Sequence, residues 1–207
     1  CRMAGVAGAD VIAVDIGIDT KETIPGILQK KIAFGTKNFL KEPAMTEEET
    51  LKAIQTGMDL VCDCKEKGYQ ILATGEMGIG NTTTSSAVAA ALLSLSAKET
   101  TGKGAGLDDA GFRRKREVIR KAIEKYDLYG KDAFTVLSCV GGLDIAGLTG
   151  VFLGGALYGI PIVIDGVISA VAALVAARIC PAAPNYMIAS HMSRENCMGY
   201  IIKELNL

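Results

Sequence analysis

Residues 69–90 read YQILATGEMGIGNTTTSSAVAA, an apolar run that passes through closely spaced glycines into a run of small residues. Residues 69–74 are short and mostly apolar, which predicts a buried strand. Residues 82–97 are mostly Thr, Ser, Ala and Leu, which predicts a helix that can pack closely on a sheet. Residues 75–81 form a glycine-rich turn between them. Such a strand–turn–helix unit is typical of parallel α/β sheets.

The alternation of strand and helix continues along the chain. Further strands are predicted at residues 10–16, 160–164 and 186–189. Helices are predicted at residues 46–68, 82–97, 109–126, 132–139, 144–158, 166–178 and 193–205, and long loops at 17–44 and 98–108. Thr46 and Glu49 form a capping box at the start of the first of these helices. This order predicts an α/β fold over residues 1–207 as a single core domain, with an open, mainly parallel sheet and helices on both faces.

Composition and charge narrow the functional classes. Apolar residues make up 49% and charged residues 22% of the chain, and the formal net charge is −1, so neither nucleic acid nor an anionic membrane is an expected partner. Residues 145–164 carry no charge and are numerous enough to cross a bilayer. However, this run contains five glycines and Pro161 and is flanked by Asp144 and Asp165. It therefore predicts a buried helix followed by a buried strand, without a membrane span.

Cysteine and histidine usage gives no metal pattern. Six cysteines stand at positions 1, 62, 64, 139, 180 and 197, and the chain has one histidine, His191. Cys62 and Cys64 are separated by one residue, a spacing that fits no common zinc motif. We therefore expect free thiols in a reducing cytoplasm, with no metal and no cofactor. The chain begins at Cys1 within an apolar segment and ends just after an amphipathic helix, which predicts that it is a fragment.

The turn at residues 75–81 is the strongest local signal of a binding site. Gly78 and Gly80 let the backbone approach a ligand, and the start of the following helix favours an anion. Asn81 and Thr82 can cap that helix or donate hydrogen bonds. The turn lacks the Lys of a phosphate-binding P-loop and does not match the dinucleotide fingerprint. A phosphate monoester is the expected ligand, although a purely structural strand–helix connector fits the local pattern equally well.

Two charged residues are candidates for work beside this turn. Glu76 is either a solvated turn carboxylate or a carboxylate that faces a ribose or orients a base. Lys115 lies on the apolar side of the predicted helix 109–126, with Val118 and Ala122, whereas Arg114 faces away. Its side chain either extends to the rim or points inward and holds an anionic group.

The remaining polar candidates are less specific. His191 has no evident partner in sequence and is more typical of a structural or capping residue than of a base. Asp144 precedes and Asp165 follows the uncharged run, so one of them caps a helix and either could meet a ribose hydroxyl.

Four motifs in a fixed order resemble one enzyme family. They are GEMGIGNTTTSSA, VGGLDIAGLTG, GIPIVIDGVISAVAAL and SHMSREN, and together they place the resemblance over nearly the whole chain, from Asp10 to Leu207. The chain resembles the nicotinate-nucleotide–dimethylbenzimidazole phosphoribosyltransferases. The resemblance implies an open Rossmann-like fold, a homodimer and two small-molecule substrates, nicotinate mononucleotide and 5,6-dimethylbenzimidazole. The products would be α-ribazole 5′-phosphate and nicotinate, as in assembly of the cobalamin lower ligand.

The resemblance also implies roles for individual residues. Glu76 and Lys115 match the site carboxylate and lysine of the family and are the expected catalytic residues. The expected substrate-binding residues follow three of the predicted strands: Gly75, Gly78, Ile79, Gly80, Asn81, Thr82, Asp165, Gly166 and Ser190.

Two departures from the family leave the activity open. The family's general base is a glutamate in a motif resembling RLGEGTGA after the SHMSREN helix, and this chain has no such motif. The upstream segment that helps to form the dimethylbenzimidazole pocket in the family is likewise expected to be missing before Cys1. The alternative to an enzyme is therefore a non-catalytic module that binds a nucleotide or a benzimidazole. A phosphate-loop NTPase is disfavoured because the turn has no Lys.

Overall fold

A computed structural model describes residues 2–102, 104, 106–193 and 195–207. Its helices are α1 (Arg2–Val6), α2 (Glu47–Glu66), α3 (Asn81–Leu93), α4 (Ala97–Thr100), α5 (Asp109–Tyr126), α6 (Ala133–Val140), α7 (Leu143–Tyr158), α8 (Gly166–Ile179) and α9 (Met198–Leu205), with a 3₁₀ turn at Ala183–Tyr186. Its strands are β1 (Val14–Asp15), β2 (Leu28–Gln29), β3 (Leu72–Ala73), β4 (Ile162–Ile164) and β5 (Met187–Ala189).

All strand pairs between the described residues are parallel, which confirms the α/β prediction. Strands β3, β4 and β5 form one sheet in that order, and β1 pairs with β2 in a second, separate sheet. Of the predicted strand 10–16, only Val14–Asp15 forms a strand in the structure. Its partner is β2, which the chain forms when it returns beside it. In this return Leu28 N donates to Ala13 O and Lys30 N donates to Asp15 O, each at 2.9 Å. The predicted loop 17–44 therefore contains a strand.

The uncharged run forms helix α7 and then strand β4, as predicted. Helix α7 packs on α2 through glycines that bring the two backbones together. A Cβ atom placed on Gly57 would lie 2.0 Å from Gly147 O, and one on Gly150 would lie 1.9 Å from Ile54 O. Among the residues that the structure describes, no helix is both long and apolar enough to span a membrane.

Local capping explains where α2 begins. Thr46 Oγ1 accepts from Glu49 N at 3.0 Å and Glu49 Oε2 accepts from Thr46 N at 2.8 Å, so the predicted capping box is confirmed. The last helix begins at Met198, so the predicted start at residue 193 is wrong. Ser193 Oγ accepts from Glu195 N at 3.3 Å and closes a turn there instead. Arg194, within that predicted helix, and Lys103 and Ala105, within the predicted loop 98–108, lie outside the described residues.

Helices α3 and α8 form the centre of the core. Residues 85–91 of α3 and 168–176 of α8 are buried throughout, because Ala-rich sequences let these helices pack closely on their neighbours. The sequence prediction of a single core domain over 1–207 stays a prediction. Helices α3 and α8 follow strands β3 and β4, so their N-termini lie where those strands end. That end of the β3–β4–β5 sheet is the place to look for a ligand.

Candidate functional site

The ends of three adjacent strands bring several predicted site residues to one edge. Gly75 closely follows β3, Asp165 and Gly166 follow β4, and Ser190 follows β5. Thr74 links the first two ends, because its Oγ1 donates to Val163 O at 2.9 Å and accepts from Asp165 N at 3.3 Å. Ser190 Oγ donates to Ile164 O at 2.6 Å and links β5 to β4.

Glu76 folds back over the turn that it begins. Its Oε2 accepts from Gly78 N at 2.7 Å and from Asn81 Nδ2 at 2.5 Å. Asn81 is the first residue of α3, and the N-cap position is occupied by Gly80 with no side-chain cap. Of the two roles predicted for Asn81, the structure shows hydrogen-bond donation, because its amide binds Glu76, and not capping of the helix. Gly80 has φ of 82°, a left-handed conformation that glycine adopts without strain.

The turn offers unused backbone donors at the start of α3. Within the described part of the chain, the backbone N–H groups of Ile79, Gly80 and Thr82 donate no hydrogen bond. The N-terminus of a thirteen-residue helix adds a favourable dipole for an anion. Met77 and Ile79 flank the glycine between them and are 88% and 93% exposed. Free backbone N–H groups and exposed apolar side chains thus lie side by side at the N-terminus of α3.

Lys115 points inward from α5, as one of the two sequence interpretations predicted. Its side chain is buried, with 5% of the residue exposed. Nζ donates to Thr82 Oγ1 at 3.0 Å and to Gly102 O at 3.2 Å. The Thr82 hydroxyl uses a lone pair for this bond, so its hydrogen stays available for a ligand. Of the three ammonium hydrogens, one likewise has no acceptor among the described residues.

Burial makes the charge of Lys115 costly in the absence of a ligand. It lowers the pKa of the ammonium below its ordinary value of 10.5, and attraction to Glu195 opposes that shift. Glu195 lies against Gly102, since a Cβ atom on Gly102 would be 1.7 Å from Glu195 Oε2. An anion placed beside Nζ would relieve this cost, which is the electrostatic signature of an anion site.

The sequence did not predict that Asp144 contacts the site. Asp144, at the start of α7, accepts from Asn81 Nδ2 through Oδ2 at 2.7 Å. The only sequence signals were its position beside a glycine pair and the absence of any other charge in its helix. The structure thus joins Glu76, Asn81 and Asp144 in one network and Thr82 with Lys115 in a second.

Other predicted residues lie on the same edge without joining these networks. Within the described ranges, Asp165, Gly166 and Ser190 have no hydrogen bond to the glycine turn, and Thr74 alone connects their strand ends to β3. His191 Nδ1 lies 2.8 Å from Ser190 Oγ.

No metal centre is formed by the side chains that the structure describes. Among them, no group of three or more His, Cys, Asp or Glu residues is placed to hold a metal ion. The five described cysteines are free, and Cys1 lies outside the described residues.

Comparisons with known proteins agree with one another. A family model described as phosphoribosyltransferase matches residues 1–207. A nicotinate-nucleotide–dimethylbenzimidazole phosphoribosyltransferase of Clostridium acetobutylicum is 49% identical over 97% of this chain and 57% of its own length. The protein of that name from Chloroflexus aurantiacus is 45% identical over 99% of this chain and 59% of its own length. The crystal structure of CobT from Thermus thermophilus matches all of this chain and 62% of that chain, with a TM-score of 0.94 at 34% identity.

The chain therefore spans between half and two thirds of the length of these relatives, 55% in a protein of the same name from Clostridium perfringens. Within that span the match includes the turn, α5, α7 and the strand ends.

Proposed function

Because the chain belongs to the nicotinate-nucleotide–dimethylbenzimidazole phosphoribosyltransferase family, we propose that it serves the transfer of phosphoribose from nicotinate mononucleotide to 5,6-dimethylbenzimidazole. The products are α-ribazole 5′-phosphate and nicotinate. One observation carries this proposal. Four polar groups are hydrogen-bonded around a single helix N-terminus. They are the carboxylate of Glu76, the amide of Asn81, the hydroxyl of Thr82 and the ammonium of Lys115.

The phosphate of nicotinate mononucleotide fits this N-terminus. The free N–H groups of Ile79, Gly80 and Thr82 supply backbone donors, and the Thr82 hydroxyl and Lys115 ammonium supply side-chain donors. Charge-assisted bonds of this kind are the strong ones in proteins. A dianion beside Lys115 also compensates the buried charge whose pKa is lowered in the free chain.

The reaction needs positioning more than it needs activation. In the displacement, a nitrogen of dimethylbenzimidazole forms a bond to the anomeric carbon as the bond to the nicotinate nitrogen breaks. The leaving pyridinium takes the electron pair and becomes neutral at nitrogen, and attack from the opposite face gives the α-linkage. The benzimidazole N–H proton passes to a carboxylate base, and Glu76 is the first candidate for that role within this chain. Glu76 holds the ribose, because Oε2 is saturated by Gly78 and Asn81 and Oε1 stays available.

The residues on the neighbouring strand ends have supporting roles in this proposal. Asp165, Gly166 and Ser190 surround the nucleotide, and Gly75 gives the backbone room beside it. A homodimer is proposed on the family resemblance and a cytoplasmic location on the free thiols of the described cysteines. Light scattering of the purified chain tests the first.

Calorimetry of nicotinate mononucleotide binding to the 207-residue chain tests the proposal, followed by an assay of nicotinate release after dimethylbenzimidazole is added. Ribose 5-phosphate and nicotinate riboside separate the contribution of the phosphate from that of the base. Binding with release supports phosphoribosyl transfer by this chain. Binding without release favours the alternative of a non-catalytic nucleotide-binding module. Absence of both contradicts the proposed site.

A further inference from the structure

The orientation of the Asn81 side chain is determined by two carboxylates. Its terminal Nδ2 lies 2.5 Å from Glu76 Oε2 and 2.7 Å from Asp144 Oδ2. An amide oxygen at that point would face two negatively charged acceptors and no donor, so the amino group must occupy it. Both amide hydrogens are then used, one on each carboxylate, and Asn81 is the bridge between the turn after β3 and α7.

Asp144 is itself fixed by its surroundings. Its Oδ1 accepts from Ile145 N at 2.9 Å in the first turn of α7, where a helix dipole favours a carboxylate. Two glycines leave room for it. A Cβ atom on Gly78 would lie 2.1 Å from Oδ2, and one on Gly142 would lie 2.7 Å from Oδ1. The carboxylate therefore fills the space that a side chain at either glycine would need.

The placement of two carboxylates on one amide would be unfavourable if it served only to stabilise the fold. Two carboxylate oxygens that share one amide nitrogen lie at most about 5 Å apart, and like charges at that distance repel each other. A single carboxylate on Asn81 would be enough to close the turn. Placement of a second one there gives Asn81 a defined orientation and directs its other hydrogen to Glu76.

We propose that Asp144 is a positioning residue that orients Asn81 and, through Asn81, fixes the Glu76 carboxylate for the ligand. This inference rests on the proposed function of the glycine turn as a nucleotide site. Asp144 does not contact the ligand. It holds Glu76 Oε2 in place through the shared amide, so that Oε1 faces the ribose.

Nuclear magnetic resonance of the Asp144→Asn variant tests this relationship without any ligand. The substitution keeps the shape of the side chain and replaces one acceptor oxygen with an amino group. We expect one of the two Asn81 side-chain amide protons to move to the position of a free amide. We also expect the Gly78 backbone amide, which donates to Glu76, to exchange at least about ten-fold faster.

Asp132→Asn is the matched control. Asp132 also accepts backbone and hydroxyl donors at a helix N-terminus, from Thr135 N at 2.9 Å and Thr135 Oγ1 at 2.6 Å, and it lies outside the site. Asp132→Asn makes the same chemical change at a helix N-terminus and should leave the Asn81 and Gly78 signals unchanged. A change in both variants would mean that general loosening explains the effect, and this would overturn the proposal.

Calorimetry then asks whether the network serves the ligand. Nicotinate mononucleotide should bind Asp144→Asn about ten-fold more weakly than the parent chain, as expected when an oriented charge-assisted contact is lost. Unchanged affinity beside a released Asn81 amide overturns the proposal. If the parent chain binds no nicotinate mononucleotide, the proposed function fails. The unliganded spectra then still decide whether Asp144 orients Asn81 and Glu76.

Discussion

Lys115 Nζ donates a hydrogen bond to Thr82 Oγ1 across 3.0 Å, although the two residues stand 33 positions apart. The bond connects the middle of α5 to the first turn of α3. It places the positive charge of Lys115 beside the glycine turn and leaves the Thr82 hydroxyl hydrogen free to be donated outward. Removal of the Lys115 charge should therefore weaken ligand binding, whereas it should keep or raise the stability of the free chain at neutral pH.

Replacement of Lys115 by Met should weaken binding of nicotinate mononucleotide by at least about ten-fold, because a charge-assisted donor is lost from a buried site. The Arg114→Met variant alters an exposed residue on the same helix and should change the dissociation constant less than about two-fold. Calorimetry on the two variants side by side gives the comparison. Equal losses in affinity would show that Lys115 acts only through the general charge of α5.

The same Lys115→Met variant should keep or raise the melting temperature at pH 7. The pKa of Lys115 is lowered by burial, so the folded state binds its proton less tightly than the unfolded state does. The destabilisation is fully present below the folded pKa and is relieved as the pH rises from there toward 10.5. Urea titrations at about pH 7 and about pH 10 should therefore show a smaller difference between parent and variant at the higher pH. A large loss of stability at neutral pH would contradict this sign.

Thr82→Val should separate the hydroxyl from the backbone donors of the turn. Valine keeps the size of threonine but removes both the acceptor for Lys115 and the outward donor. We expect nicotinate mononucleotide to bind about ten-fold more weakly, and we expect affinity for nicotinate riboside, which lacks the phosphate, to change little. A parallel loss for both compounds would place Thr82 against the ribose instead of the phosphate.

The single histidine should exist as the Nδ1–H tautomer when it is neutral. The one hydrogen of the Ser190 hydroxyl is donated to Ile164 O at 2.6 Å, so Ser190 Oγ can only accept from His191 Nδ1 at 2.8 Å. Nitrogen-15 spectra of the imidazole report the tautomer directly, and there is no second histidine to confuse them. Ser190→Ala should return the ring to the Nε2–H form. An Nε2–H signal in the parent chain would show that this bond is absent in solution.

Packing of α2 on α7 should tolerate no side chain at Gly57. A Cβ atom there would lie 2.0 Å from Gly147 O, and backbone can move away only if the two helices separate. Gly57→Ala should cost about 1–3 kcal/mol of unfolding free energy. Gly199→Ala is the control, since that helical position opens to free space and alanine should stabilise it by about 0.5–1 kcal/mol. Similar effects of the two substitutions in urea titrations would contradict the backbone contact.

Local signals in the sequence predicted most of the helices correctly. The capping box predicted the start of α2, and the apolar periodicity of residues 109–126 gave both ends of α5 and placed Lys115 on its buried side. These features depend on residues within a few turns of one another. Strand β2 was missed because its two residues are exposed and lie between glycine and proline breaks, where only the pairing with β1 defines a strand.

The site could be predicted as a region but not as a set of contacts. The glycine turn and the strand ends follow from the parallel order of elements. The bond from Asn81 to Asp144 connects residues 63 positions apart, and that from Lys115 to Gly102 ends on a loop carbonyl. Neither leaves a local pattern, because both depend on how α7 and α5 are placed against α3. Pairwise geometry of this kind is fixed by packing.

The close contact of α2 and α7 has a consequence for the glycine turn at residues 75–81. The glycines that form this contact do not themselves touch the turn. Asp144 and Gly150 belong to the same helix, six residues and therefore about 9 Å apart along its axis. Where α7 rests on α2 thus sets how far the Asp144 carboxylate reaches toward Asn81. Helix α2 is thus the fixed support, and α7 transmits its position to the glycine turn. A variant that thickens the α2–α7 seam would misalign Glu76 from a distance, and its defect would be mistaken for a fault in the ligand site.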